Sequence, residues 1–313
     1  MKGSRQVAAI MFGMVLLAIL VPRNGFAAEA YWVDLLRAEP IQARQFLWDD
    51  LQSVNVLYLG ETHRLKRHHR EQVAVFKAMV ERVQPVILGL EQLERRDQAE
   101  IDRFNSGEID FETLAQRINW QAQWPDFEDY RDLVEAAQQA GVRVVGLNAP
   151  REIIRKIGRN GIDALNEEER RTLANRLNFD DPVYRKLMDR VMLVHAAFDA
   201  SDLKNVFQAQ VSRDETMAET LVEAFEAQTR KGGEPLAIMV AGAGHVRFRL
   251  GVPDRVRARI AKVKDRILLM SESGDLVLTE SEKAASREVE LSHEDLAEIE
   301  RSVGDYLFLA PRD

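Results

Sequence analysis

The chain of 313 residues contains no cysteine. That excludes disulfides, thiolate metal ligands, a C-x-x-C-H haem attachment site and lipid attachment at a processed cysteine. A positive field is also missing, because 51 acidic residues outnumber 43 lysines and arginines, for a formal charge of −8. Nonspecific nucleic-acid binding needs the opposite sign, so no nucleic-acid partner is expected. No Pro/Gly/Ser-rich linker, internal repeat or low-complexity tract divides the chain. A G-x-S-x-G nucleophile elbow, an H-E-x-x-H helix and a Walker-type phosphate loop are absent too.

The N-terminus has the three-part layout of a secretory signal peptide over residues 1–30. Lys2 and Arg5 form a basic start, residues 7–21 are apolar, and residues 22–30 are small and polar. The apolar run falls short of the roughly 20 residues that a spanning helix needs. Ala28-Glu29-Ala30 offers an A-x-A cleavage site, and Gly25-Phe26-Ala27 a competing one. Residues 31–313 are then expected to form a single domain, periplasmic or secreted. Membrane contact would come only through an uncleaved N-terminal segment. Cleavage would remove Lys2, Arg5, Arg23 and Glu29, leaving the mature chain more acidic still.

Short apolar runs at residues 54–59, 85–90, 142–147 and 236–241 read as buried strands, and 267–270, 276–278 and 306–309 as late ones. Helical periodicity separates them. Phe76, Met79, Val80 and Val83 repeat at three- and four-residue spacing within residues 64–83. Further helices are expected at 93–104, 111–118 and 127–140, the last stopped by Gly141. Pro150 is expected to open another near its first turn. Residues 150–232 are almost wholly helical in pattern, with one long element at 202–231, and a short helix follows at 254–263. The fold class is therefore α/β, a mostly parallel sheet with helices on both faces and a helical insertion in the second half.

Two strands run directly into the same form, glycine, two residues, histidine: Gly60-Glu61-Thr62-His63 and Gly242-Ala243-Gly244-His245. In an open parallel sheet, loops leaving the carboxyl ends of strands share one edge, where ligand sites form. Glu91 and Asn148 end two more strands at the same level. Glu61, His63, Glu91, Asn148 and His245 are the candidates. Imidazoles and carboxylates serve equally as metal ligands and as acid–base groups. A neighbouring glycine lets backbone approach closely or take a positive φ. The plainer alternative is that strand ends are polar because they meet water.

Further candidates lie on helices. His69 and Gln72 share a face at i, i+3, beside His68, in a stretch crowded with Lys66, Arg67, Arg70 and Glu71 that could equally be a solvated face. Gln210, Asp214 and Met217 repeat at i, i+4, i+7 on the long helix and read as one wall of a pocket. Trp120, Trp124, Phe127 and Tyr130 form an aromatic cluster that is either core or a flat wall for a planar ligand. His195 reads as a core residue, and His293 as a surface one.

Taken together, these segments resemble one family. G-E-T-H at 60–63, His69-x-x-Gln72, Gly89-Leu90-Glu91, residues 147–151, Ala209-Gln210 with residues 214–218, and Gly242-Ala243-Gly244-His245-Val246 are similar to the ChaN-like haem-binding uptake proteins of the Tiki superfamily. The likeness runs on through Gly251-Val252-Pro253 to Gly304-Asp305-Tyr306. It implies an α/β fold, export in bacteria, haem capture linked to iron acquisition, and paired haems held between two protomers of a homodimer. The superfamily also contains metal-dependent peptidases that use two G-x-x-H motifs and an acidic residue. Here those positions fall on Gly60, Glu61, His63, Glu91 and His245.

Two functions follow as expectations. A haem carrier needs an axial ligand and cations for the propionates. His63, His69, His245, Tyr130, Tyr184 and Met217 are the candidate ligands, and Arg151 and Arg213 the candidate propionate partners. A hydrolase of peptides or esters would hold a divalent metal ion on Glu61, His63 and His245, with Glu91 as general base and Asn148 orienting substrate. A binding module for some other small molecule or peptide is the third possibility.

Overall fold

The computed structural model describes residues 30–195, 200–272 and 299–310, with side chains at 190–202 and 272 left out of account. Residues 1–29 of the expected signal peptide, the strand expected at 276–278, the His195 side chain and His293 lie outside the described residues. Among the described residues, eight strands form one sheet: β1 (Tyr31–Asp34), β2 (Glu39–Pro40), β3 (Val56–Glu61), β4 (Val86–Glu94), β5 (Arg143–Asn148), β6 (Leu236–Gly242), β7 (Asp265–Glu272) and β8 (Tyr306–Ala310). Their order is β2-β1-β8-β7-β3-β6-β4-β5. From β8 to β5 every neighbouring pair is parallel, whereas β1 runs antiparallel to both β8 and β2. The mostly parallel α/β class read from the alternation of strands and helices is the one observed.

Side-chain parity divides the core in two, because successive residues of a strand point to opposite faces. Leu57, Leu59, Leu88, Leu90, Ile238 and Val240 point to the first face. There they meet Val75, Phe76 and Met79 of the helix Lys66–Val80, and Leu133, Val134 and Ala137 of the helix Arg131–Gln139. Val56, Tyr58, Ile87, Ala237, Met239 and Ala241 point to the second. The long helix Ala200–Gly232 covers them with Met217, Ala218, Leu221 and Phe225, assisted by the helix Val252–Arg257. β3 and β6 are buried along their whole length, as strands covered on both faces must be.

The helical insertion packs on the long helix rather than on the sheet. Ile153, Ile154 and Ile157 of the helix Arg151–Asn160 join Ile162, Leu165, Leu173 and Ala209 in a separate apolar cluster.

Several boundaries differ from the sequence reading. β4 continues to Glu94, so Leu93 belongs to a strand and not to a helix. Its regular pairing stops at Leu90, opposite Gly146 and Val240, and resumes only at Glu94 opposite Asn148. That irregularity re-aims residues 91–93, as bulges do. Pro150 caps its helix from outside the first turn. The expected helix at 127–140 is a 3-10 turn, Phe127–Tyr130, followed by Arg131–Gln139. β1 and β2 were not anticipated at all. Strands of four and two residues carry too little periodicity to be seen.

Candidate functional site

Strand order explains why distant residues meet. β6 lies between β3 and β4, and its last residue, Gly242, pairs directly with Glu61. Leu90 pairs with Val240, which leaves Glu91 just beyond the ladder on the other side. The two glycine–histidine turns therefore leave adjacent strands at one level.

Parity sends the two carboxylates to opposite faces. Glu61 shares the face of Leu57 and Leu59 and is buried against the helix Lys66–Val80. Its Oε1 accepts from His63 Nδ1 at 2.7 Å, from Gln92 Nε2 at 3.3 Å and from the Tyr130 hydroxyl. Its Oε2 accepts from Gln72 Nε2 at 2.5 Å and faces His69 Nδ1 at 3.3 Å. Burial alone would raise this carboxyl's pKa, but the hydrogen bonds and charges of His63 and His69 hold it well below the usual carboxylate range. The reciprocal effect raises both imidazoles against their own burial. Burial and the neighbouring carboxylate push the Tyr130 phenol far up, so it stays a hydrogen-bond donor.

Glu91 turns to the second face, toward the long helix. Its Oε2 accepts from the Gly242 backbone N–H at 2.7 Å. Its Oε1 lies 3.2 Å from His245 Nε2 and 3.6 Å from an Arg213 guanidinium nitrogen. His245 Nδ1 in turn meets Asp214 Oδ1 at 2.5 Å, and Asp214 Oδ2 accepts from Tyr184 Oη at 2.6 Å. Gln210 Nε2 is 2.9 Å from the same imidazole nitrogen and 3.2 Å from the tyrosine oxygen. Burial would lower the His245 pKa, but Glu91 and Asp214 push it up to about 9. Glu91 is held well below the usual carboxylate range in spite of its burial, chiefly by the charge of His245.

The two halves join at Gly242. A Cβ built there would stand 2.7 Å from His63 Nε2, 3.0 Å from His63 Cε1 and 3.6 Å from Glu91 Oε2. Its φ of −56° is ordinary, so this glycine supplies room and not a left-handed backbone. His63 passes over the end of β6 and enters a cleft of about 280 Å³. The cleft is lined by His63, Arg64, Glu91, Gln92, Glu94, Gln123, Trp124, Pro125, Asp126, Asn148, Ala149, Arg151 and Arg213. The His63 side chain remains 39% exposed, and Trp124 stands edge-on to it with ring centroids 5.0 Å apart.

The structure thus gathers Glu61, His63, His69, Glu91, Asn148, Arg151, Arg213, Asp214, Gln210 and His245 around the ends of four strands. Asn148 hydrogen-bonds the Glu91 backbone carbonyl through Nδ2 at 2.9 Å. Arg151 donates to the carbonyls of Ala122 and Gln123. Met217 is set apart. It is fully buried in the apolar cluster beneath the sheet, because helix parity turns it from the face that Asp214 presents to His245. The aromatic cluster divides likewise: Trp120 and Tyr130 are core, and Trp124 lines the cleft.

Among the described residues, no group of three or more histidine and acidic side chains is arranged to hold a metal ion. Glu61 is saturated by donors on its own face, and His245 has both ring nitrogens against carboxylates.

Gln92, Gln123, Glu94 and Arg64 belong to the site and were not singled out from the sequence. Gln92 directly follows Glu91. Only the break in β4 pairing could have announced that both neighbours would point inward. His68 is fully buried, its Nδ1 accepting the Thr62 N–H at 3.2 Å, and burial lowers its pKa to about 4.

A family model described as haem-binding uptake, Tiki superfamily, ChaN matches residues 47–256, more than half of the chain. A solved structure showing cofacial haem binding to ChaN of Campylobacter jejuni shares the fold, with a TM-score of 0.64 at 20% identity over 90% of this chain and 96% of that one. RETICULATA-RELATED 5, a chloroplastic protein of Arabidopsis thaliana, is 22% identical over 256 residues, covering 75% of this chain. The chain spans about a third of that relative's length, 34%. The matched model takes in both glycine–histidine turns and every strand between them, and the chain belongs to the ChaN family of haem-binding uptake proteins within the Tiki superfamily.

Proposed function

We propose that the protein is an exported haem carrier that holds haem through His63, in the service of iron uptake. The observation that carries this reading is the state of the His63 ring. Of the six candidate axial ligands, His69, His245, Tyr130, Tyr184 and Met217 are buried and, Met217 excepted, turned to partners inside the protein. His63 alone among them is half exposed and lines the cleft. Its Nδ1 donates to Glu61, which orients the ring and raises the basicity of Nε2, the arrangement typical of histidines that ligate metals. Arg64, Arg151 and Arg213 line the same cleft and supply cations for two propionates, and Trp124 supplies an aromatic wall. The residues present therefore fit the ligand. Export rests on the sequence of the first thirty residues. Among the described residues no helix is long and apolar enough to cross a membrane.

Hemin titrated into purified protein should give a saturable Soret shift. His63→Ala should weaken it by about tenfold or more, whereas Met217→Leu should leave it unchanged. An unaltered shift in the His63 variant removes this ligand assignment.

The hydrolytic alternative would run through His63 and not through Glu91. A carboxylate held far below its usual range, with both oxygens engaged, is a weak base at neutral pH.

A further inference from the structure

The turn that carries His63 is held at few points. Glu61 still pairs with Gly242 in the sheet, and the Leu65 carbonyl accepts the His68 N–H at 2.8 Å where the helix Lys66–Val80 begins. Between them Arg64 has a φ of +72°, a left-handed backbone that residues other than glycine rarely adopt. Such a conformation persists only where its surroundings impose it. Among the described residues, Thr62 has the only hydrogen-bonded backbone N–H of residues 62–64, and its acceptor is His68 Nδ1 at 3.2 Å. Thr62 itself is exposed, so the turn gains no hold from burial of that side chain.

His68 is a poor choice if it merely fills the core. It is fully buried. Its Nδ1 faces a group that can only donate, so the proton of the neutral ring is on Nε2. That Nε2 is buried and has no hydrogen-bond partner among the described residues. An unpaired buried donor is destabilising, and leucine would fill the place without one. What leucine lacks is an acceptor for Thr62. The reach of the ring also departs from ordinary helix capping. His68 is the third residue of its helix, the place from which a capping-box side chain reaches back to the N–H of the residue just before the helix. That residue is Leu65, which makes no side-chain cap. His68 passes it by and takes Thr62, so it holds the turn and not the helix end.

We propose that His68 is a positioning residue for His63: by accepting the Thr62 N–H it fixes the turn that carries the His63 ring over Gly242. Glu61 orients the ring through Nδ1, and Gly242 leaves it room, since a Cβ there would stand 2.7 Å from Nε2. His68 adds a third restraint, on the backbone from which the ring hangs. The consequence for hemin rests on His63 being the haem ligand, whereas the ring position does not.

Asparagine places an amide oxygen near the position of the histidine Nδ1, and leucine removes the acceptor but keeps the core filled. A mere core role would favour leucine over asparagine, and a positioning role the reverse. In the full chain without hemin, NMR should show an NOE between His63 Hε1 and Gly242 Hα, because a Cβ at Gly242 would lie 3.0 Å from His63 Cε1. The Thr62 amide should also be protected from hydrogen exchange. His68→Asn should keep both signals and His68→Leu should lose both, with thermal melts confirming that the variants fold. Hemin affinity should fall at least about fivefold in the leucine variant and stay within about twofold in the asparagine one. An unprotected Thr62 amide in the unaltered protein, an NOE kept in the folded leucine variant, or one lost equally in both variants overturns the positioning role. A lost NOE with unchanged hemin affinity in the leucine variant upholds that role and removes His63 as the ligand.

Discussion

Replacing Glu61 by glutamine tests the polar half-site on the first face of the sheet. The change keeps shape and removes one acceptor, putting an NH2 where an oxygen was. Either orientation fails. At the Oε1 position the new donor would meet His63 Nδ1, Gln92 Nε2 and the Tyr130 hydroxyl. At the Oε2 position it would meet Gln72 Nε2 and His69 Nδ1. A hydrogen bond to a charged group contributes about 1.5–3 kcal/mol, and removing one partner of a buried ion pair costs about 3–5 kcal/mol. Tyrosine and histidine can partly relax by exchanging donor and acceptor roles, so the expected loss is about 3 kcal/mol. Urea unfolding at neutral pH, followed by tryptophan fluorescence, measures it. The same variant should lower the pKa of His63 and of His69 in an NMR titration, because burial, which disfavours the charged ring, stays while the hydrogen bond and charge of Glu61 that raise both are lost. A loss under about 1 kcal/mol together with unmoved histidine pKa values would refute the assignment of Glu61 as the hub of this network.

Two other outcomes test the rest of the site. His245 has a folded pKa of about 9 against an ordinary value near 6.5, so its protonated form favours the native state. That contribution is complete below about pH 6.5, falls as the pH rises, and is gone above about pH 9, a loss of about 3 kcal/mol that Tm measured across this range should show. Asp214→Asn should flatten the slope, and an unchanged slope in that variant would count against the buried relay. Gly242→Ala should leave the fold intact but push the His63 ring off its position, because the added methyl would sit 2.7 Å from Nε2. Hemin affinity should then fall by about tenfold while Tm changes little. Retained affinity would mean that the His63 ring position does not matter for binding.

Much of this was legible in the sequence, for reasons that can be named. A strand buried on both faces must be almost wholly apolar, so β3 and β6 announce themselves, as β5 does after Arg143, and the first polar residue at the carboxyl end of each one is conspicuous. Glu61, Asn148 and His245 were found in that way. Gln92 and Gln123 were not, since nothing local distinguishes a glutamine in a cleft from one in solvent. Met217 shows the reverse error. Its spacing from Asp214 is nearly one helical face, but a helix that carries a polar network and a core stripe side by side turns quickly from one to the other.

The sequence by itself determined the fold class, the acidic character, the lack of thiol chemistry and the presence of two glycine–histidine turns at strand ends. Only the tertiary structure decided that β6 lies between β3 and β4, that Glu61 and Glu91 point to opposite faces of the sheet, and that His63 crosses over Gly242 into the cleft. Local residues dictate where a strand ends, through burial and periodicity. Which strand becomes its neighbour depends on how the covering helices pack, a property of the whole core that no single segment encodes.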